Sequence, residues 1–385
     1  MFIEHQSEKA AMENTGFLRR LLYCILRDSY EFQNNNYDFL IFGTTLSNRI
    51  KRQLEDKVLI LANKLGFVRR HFAIEQAPEQ LVYIVDNLDK FESFYYLLQD
   101  DYSRQLLIAL LEFRILGAQH VKLPLNNKQY WDKRASIDKV FLKKRRTIKA
   151  EVNWYLNRYE LKGLSGSLSV YTHKLGILNT FLLEQYAYRR GNSIVQVQPG
   201  DIVIDGGSCW GDTALYFADK TGPQGKVYCF EFVPGNLEII QRNMELNKHL
   251  AGRIEVVPNA LWDKSGEIAY YCDSGPSTRL LGDKQQSTMQ IPTLSIDDFA
   301  KKERLERIDY IKMDIEGSEL KALQGAEDSI RTFKPKLAIS LYHREDDFFV
   351  IPDYLDRLGL RYEFFLDHFT ICSHETVLFA AHKPD

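Results

Sequence analysis

The chain has 385 residues, of which 45% are hydrophobic, 26% charged and 12% aromatic, a makeup that excludes disordered and fibrous proteins. The 50 Lys and Arg against 52 Asp and Glu leave a net charge of −2, so no global basic field is present to hold nucleic acid. No run approaches the ~18 consecutive apolar residues of a spanning helix; the stretch Phe17–Leu26 is broken by Arg19 and Arg20. The opening MFIEHQSEKA lacks the basic-then-apolar order of a secretory signal. Cysteines at 24, 209, 229, 272 and 372 stand singly with no CxxC pair, which favours reduced thiols in a cytoplasmic protein over a zinc knuckle or disulfide framework.

Taken in chain order, the first half reads helical. Leu54, Val58, Leu61 and Leu65 recur at nearly helical spacing and predict a helix over 46–64. The segment RQLLIALLEFRILG (104–117) predicts a mostly buried helix that stops at Gly117. Residues 116–131 read as irregular around Pro124. The run 139–149 has six basic residues and no acid; it suits either an anionic sugar, lipid head group or phosphate, or simply a solvated face. The organisation expected is a mostly helical region over 1–160 and an α/β domain over 161–385.

From about residue 195, short strand-like runs alternate with helical ones. IVIDGG (202–207), KVYCFEF (226–232), RIEVVPNAL (253–261), IDYIKMD (308–314) and KLAISLY (336–342) read as strands. Helices are expected over 212–221, 234–248 with Pro234 in the first turn, 318–331, and 345–358 with an interruption near Pro352. EIAYYC (267–272) and STMQIPTL (287–294) predict an antiparallel detour. RYEFFLD (361–367) and TVLFAAH (376–382) close the chain as strands. Strand–helix alternation means a mainly parallel sheet with helices on both faces, whose ligands bind beyond the carboxyl ends of the strands.

The motifs fall at that edge. In VIDGGSCWGDTA (203–214) a strand ends at Asp205, and Gly207 and Gly211 open the turn into a helix, where glycines admit a ligand close to the backbone. Gly-x-Gly-x-x-Gly is missed by one position, whereas acid-x-Gly-x-x-x-Gly fits. Glu231 follows 26 residues after Asp205 at the tip of the next strand, where an acid accepts from a ribose diol or else caps a helix. In NALWD (259–263), Leu261 and Trp262 suit the faces of a flat base and Asp263 an exocyclic amine, core packing being the alternative for Trp262. IKMDIEGSE (311–319) delivers Asp314 and Glu316, able to hold a cationic group, a hydroxyl or a proton; a metal would need more oxygen ligands than this pair supplies. Glu316 and Glu319 also suit the dipole of the following helix. His343, in SLYHRED (340–346), is a general-base candidate, a structural histidine being the alternative.

Together these residues resemble the FkbM family of S-adenosylmethionine-dependent methyltransferases. VIDGGSCWGDTALYFA, GKVYCFEFVPGN, NALWD, TLSIDDF, IKMDIEGSE, SLYHREDDFFVIPDYL and ETVLFA match in order and spacing over about residues 180–381. The resemblance implies a class I methyltransferase (Rossmann-like) fold over 161–385, S-adenosylmethionine as cofactor, and a hydroxyl of a glycan or small molecule as acceptor. It implies that Asp205, Gly207, Ser208, Gly211, Asp212 and Thr213 shape and line the cofactor loop. Glu231 takes the ribose, Ala260, Leu261 and Asp263 meet the adenine, and Asp314 lies near the methionine end. Two departures stand out: Cys209 where many methyltransferases of this fold have glycine, and Asp367 where members often carry arginine before His368 and Phe369. Methyl transfer to a hydroxyl calls for a base, His343 first and Glu316 second. No metal, nucleic-acid partner or membrane span is expected, and a homo-oligomer is compatible with the sequence. The rival readings are a nucleotide-dependent oxidoreductase and a non-catalytic, cofactor-binding adaptor.

Overall fold

The computed structural model of the chain describes residues 16–29, 33, 36, 77–142, 146–150, 154–162, 168–281 and 289–383. The helix expected over 46–64 and the centre of the basic run, 143–145, lie outside the described residues. Two compact units are formed, Met1–Lys128 with Thr370–His374, and Gln129–Phe369 with Glu375–Asp385.

The described part of the first unit is helical: α1 (Phe17–Asp28), α2 (Ala77–Asp86), α3 (Leu88–Leu97) and α4 (Asp101–Leu116). Helix α4 is the one expected to end at Gly117. Asp100 caps its start by accepting from Ser103 N at 2.8 Å, and Gly117 leaves it at φ 75°. Leu106, Leu107, Leu110 and Leu111 are buried along it.

The second unit opens with α5 (Lys128–Phe141) and a three-stranded antiparallel sheet, β1 (Thr147–Lys149), β2 (Tyr155–Glu160) and β3 (Ser169–Thr172). A boundary at 160 would cut this sheet. The hairpin β4 (Tyr188–Arg190) and β5 (Ser193–Val195) follows a π-helical turn over Ile177–Leu182.

The α/β core then runs β6 (Ile202–Gly206), α6 (Asp212–Thr221), β7 (Lys226–Phe230), α7 (Pro234–Leu246) and β8 (Ile254–Val257). Asn243 of α7 and Asn247 just past its end pair their side-chain amides with the backbone of Tyr171 and Ser169, which fastens β3 to the core. A side sheet is built from β9 (Ala260–Leu261), β10 (Ile268–Tyr271), β11 (Leu280–Leu281) and β12 (Met289–Leu294). The chain returns through α8 (Ile296–Lys302), β13 (Tyr310–Met313), α9 (Glu319–Gln324), α10 (Glu327–Phe333), β14 (Lys336–Ser340), α11 (Asp347–Arg357), β15 (Tyr362–His368) and β16 (Thr376–His382).

The main sheet has seven strands in the order β15-β16-β14-β13-β6-β7-β8. From β14 to β8 neighbours are parallel, and β16 is antiparallel to both β14 and β15. From β6 the chain winds outward through β7 and β8, then restarts on the other side with β13. The order therefore reverses between β6 and β13, and a crevice opens beyond the carboxyl ends of those two strands.

Three local expectations are corrected. The strand over 253–261 is two strands: the chain turns at Pro258, and Ala260 and Leu261 leave the main sheet to pair in parallel with Thr293 and Leu294 of β12. The helix over 318–331 breaks at Gly325, where backbone meets backbone: a Cβ there would lie 2.2 Å from the Trp262 carbonyl oxygen. Helix α11, by contrast, runs unbroken through Pro352. Burial of Phe348, Phe349, Ile351 and Leu355 outweighs the one backbone hydrogen bond that proline removes. Among the described residues no helix is long and apolar enough to cross a membrane.

Candidate active site

Strand β6 hands over to α6 through a tight loop. Gly207 and Ser208 both donate their N–H to the Phe230 carbonyl, at 3.0 and 3.1 Å, so the loop folds back onto the end of β7. Gly207 has φ 76°, and a Cβ there would stand 1.9 Å from the Asp314 carbonyl oxygen, so only glycine fits between the two strand ends. Cys209 itself occupies the left-handed region at φ 46°, a backbone conformation that favours glycine.

Beneath the loop lies an ion pair that the sequence reading missed. Lys312 of β13 is opposite Asp205 of β6 in register. Its ammonium is 3.2 Å from Asp205 Oδ1, with the two side chains 1% and 0% exposed. Lys312 also donates to the Gly206 and Gly207 carbonyls at 2.9 and 2.7 Å, and Thr213 donates to Asp205 Oδ2 at 2.7 Å. Burial disfavours the Lys312 charge, but Asp205 and Asp314 overcome this and raise its pKa. Asp205 thus acts through the loop, by anchoring it from below.

The crevice is a cleft with about 550 Å³ of open space including its mouth. Gly207, Glu231, Ala260, Leu261, Asp314 and Glu316 of the expected set line it. Cys209, Asn236, and Gly275, Pro276 and Thr278 from the β10–β11 connection line it as well, none of which sequence reasoning had singled out as a contact. Ser208, Gly211, Asp212, Thr213, Asp263 and His343 are absent from its lining. Ser208 donates to the Asp205 carbonyl from the loop, and Thr213 to the Asp205 carboxylate from the first turn of α6. Asp212 accepts from Thr172 on β3 at 3.1 Å, and Asp263 pairs with Lys321 at 2.7 Å. Trp262 is likewise not part of the lining; its backbone N–H donates to the Leu294 carbonyl.

Glu231 combines the two roles weighed for it. Its Oε1 accepts from the backbone N–H of Phe232 and Val233 at 2.7 and 2.8 Å, at the start of α7, its Oε2 accepts from Asn236 at 3.2 Å, and the residue lines the cleft. Burial pushes its pKa up to about 7 against the pull of these donors.

At the other end, the tip of β13 gathers acids and hydroxyls. Asp314 accepts from Tyr186 at 2.7 Å and from Tyr342 at 2.9 Å. Burial works to raise its pKa, but His343, Lys312 and the two hydroxyls outweigh it, and the carboxyl sits below its usual range. Burial raises the Glu316 pKa, opposed by His343. Glu319 is completely buried and accepts from the N–H of Ile315 and Gly317, fixing the turn that follows the strand.

His343, the first choice as base, is held differently from expectation. Its Nδ1 is 2.8 Å from Glu319 Oε1, and its Nε2 is 3.3 Å from Asp314 Oδ1 and 3.6 Å from Glu316 Oε2. Burial favours the neutral ring, yet the three carboxylates prevail and push its pKa up to about 12. An imidazolium held this firmly has no free lone pair at neutral pH, which favours Glu316 over His343 as the base. The lone-histidine signal did not reveal this because Glu319 reaches the ring only through the fold. Asp367, the other sequence departure, is buried and receives Arg190 through Nε and Nη2 at 2.9–3.1 Å.

Residues 190–362 match the model of the methyltransferase FkbM domain. Over this segment the chain is similar to the FkbM-family methyltransferase domain. A curated relative, Methyltransferase 1 of Beauveria bassiana (strain ARSEF 2860), is 22% identical over 218 residues, covering 51% of this chain and 87% of that protein. The crystal structure of methyltransferase FkbM from Methylobacillus flagellatus KT aligns with TM-score 0.50 and 23% identity over 78% of this chain. This chain spans 60% of that protein's length. The shared fold is the class I methyltransferase fold, and within it the matched segment runs from β4 into β15, so the FkbM domain includes the whole cleft.

Proposed function

We propose that the cleft binds S-adenosylmethionine and that the domain methylates a hydroxyl of a sugar, glycan or small-molecule metabolite. The observation that carries this reading is the buried Glu231 carboxylate opening onto the same cleft as the Gly207 turn. The residues fit the nucleoside part: Oε2 of Glu231 keeps a lone pair for a vicinal diol, and the Gly207 turn brings backbone to the cleft wall. Ala260 and Leu261 offer an apolar wall to a flat ring, and Asp314 offers a charged oxygen to a cationic amine.

When bound, S-adenosylmethionine supplies a methyl group already activated by a positively charged sulfur. What remains for the chain is positioning, exclusion of water and proton removal. Lys312 and Asp205 hold the loop at fixed height. Tyr186 and Tyr342 fix the Asp314 carboxylate from both of its oxygens. Glu316, on the cleft wall beside Asp314, accepts the proton of the acceptor hydroxyl. The five singly spaced cysteines suit work in the cytoplasm.

Calorimetry with S-adenosylhomocysteine and with NAD tests the cofactor assignment: binding of the first and not the second is expected, and the reverse would overturn it. Glu316→Gln tests the base. Turnover on a panel of hydroxylated acceptors should fall about 100-fold or more, with S-adenosylhomocysteine affinity unchanged. Wild-type turnover in this variant removes Glu316 from the mechanism.

A further inference from the structure

The neighbourhood of His343 carries more charge than the methyl-transfer reading uses. Asp314, Glu319 and His343 each offer a donor atom, all within 4.8 Å of one another. The His343 side chain is only 6% exposed, and its Nε2 makes no hydrogen bond although it points at two carboxylates. Glu319 approaches the opposite nitrogen, Nδ1, at 2.8 Å while its own oxygens are held by the N–H groups of Ile315 and Gly317. That arrangement holds the ring with Nδ1 toward Glu319 and its Nε2 edge toward Asp314 and Glu316. Two carboxylates converging on one buried nitrogen favour a positive charge between them, either the Nε2 proton or a metal ion that displaces it.

We propose that a first-row transition-metal dication binds here, on His343 Nε2, Asp314 Oδ1 and Glu316 Oε2, with Glu319 orienting the ring from behind. The spacing suits it: Nε2 lies 3.3 Å from the Asp314 oxygen and 3.6 Å from the Glu316 oxygen. Donor atoms bonded at ~2.0–2.2 Å to one ion stand about 3.0–3.6 Å apart. A nitrogen donor among carboxylates selects manganese, iron, cobalt or zinc over calcium and magnesium, which prefer an all-oxygen shell. The carboxylate–histidine–metal relay from Glu319 is the usual way in which a ligand ring is held. Asp314 and Glu316 line the cleft, so the remaining coordination positions face the place where an acceptor would enter. Glu316, bound through Oε2, keeps Oε1 for the acceptor's proton. Activation of the acceptor by the ion rests on the methyl-transfer reading, whereas binding of the ion does not.

The test uses the full chain, stripped with a chelator, dialysed and titrated with cobalt(II). One equivalent should bind, seen as a visible ligand-field absorption and as cobalt retained after desalting. His343→Ala should abolish both signals. Glu319→Gln should weaken cobalt binding about 10–100-fold by releasing the ring, without changing the affinity for S-adenosylhomocysteine. A wild-type protein with no ligand-field band and no retained metal at 1 equivalent or in about tenfold excess, while still binding S-adenosylhomocysteine by calorimetry, overturns the metal site alone. Cobalt bound by the same residues with no S-adenosylhomocysteine binding supports the metal site and overturns the cofactor reading instead.

Discussion

Replacing Lys312 by methionine tests the physical core of the site. Met has similar length and no charge, so the strand keeps its packing while Asp205 loses its counter-ion. Asp205 is 0% exposed, and with the ammonium gone the bond that remains to its carboxylate is the 2.7 Å one from Thr213. The Gly206 and Gly207 carbonyls lose their shared donor as well. Stripping one partner from a buried pair costs about 3–5 kcal/mol because the other charge stays buried without compensation. Set against the ~5–15 kcal/mol that holds a typical domain folded, that is a large fraction. Tryptophans 131, 154, 210 and 262 all lie in the second unit, so their fluorescence during urea unfolding follows that unit. With a slope near 3 kcal/mol per molar, the midpoint should drop by about 1 M or more. Adding Asp205→Asn keeps an acceptor for Thr213 and removes the stranded charge, so the double variant should regain at least half of the loss. A midpoint for Lys312→Met within about 0.3 M of wild type, or a double variant as unstable as the sum of the singles, would refute the assignment.

Two further outcomes follow from the loop and the ribose acid. Gly207→Ala should weaken S-adenosylhomocysteine binding at least about tenfold and cost about 1–2 kcal/mol from the left-handed backbone alone. The cause is a Cβ 1.9 Å from the Asp314 carbonyl; Gly222→Ala, at φ 67° with nothing within 4 Å, should show the backbone cost and unchanged affinity in the same calorimetry. Glu231, with its pKa pushed up to about 7 by burial, binds a diol as the ionised carboxylate. Affinity for S-adenosylhomocysteine should therefore be flat above pH 7 and fall as pH drops through it, by about tenfold per unit. Glu231→Gln should lose this slope; an unchanged slope would assign the titration to another group.

Much of this molecule is written in local pattern. Alternating strands and helices, the glycines after Asp205, and acids closing two successive strands are set by near-neighbour chemistry, because side-chain period and backbone freedom act over a few residues. These were enough to point to the parallel core, the edge where ligands bind, and Glu231, Asp314 and Glu316 on the cleft. What the sequence leaves undetermined is which charges meet. Lys312 lies 107 positions from Asp205 and becomes its counter-ion only because β13 adds beside β6 in that register. His343 reads as a neutral base until Glu319, Asp314 and Glu316 surround its ring. Asp212 and Asp263 meet Thr172 and Lys321, partners that no local pattern reveals. Electrostatic partners are chosen by distance through space and by the loss of water around them, and both quantities come into being only when the chain has folded.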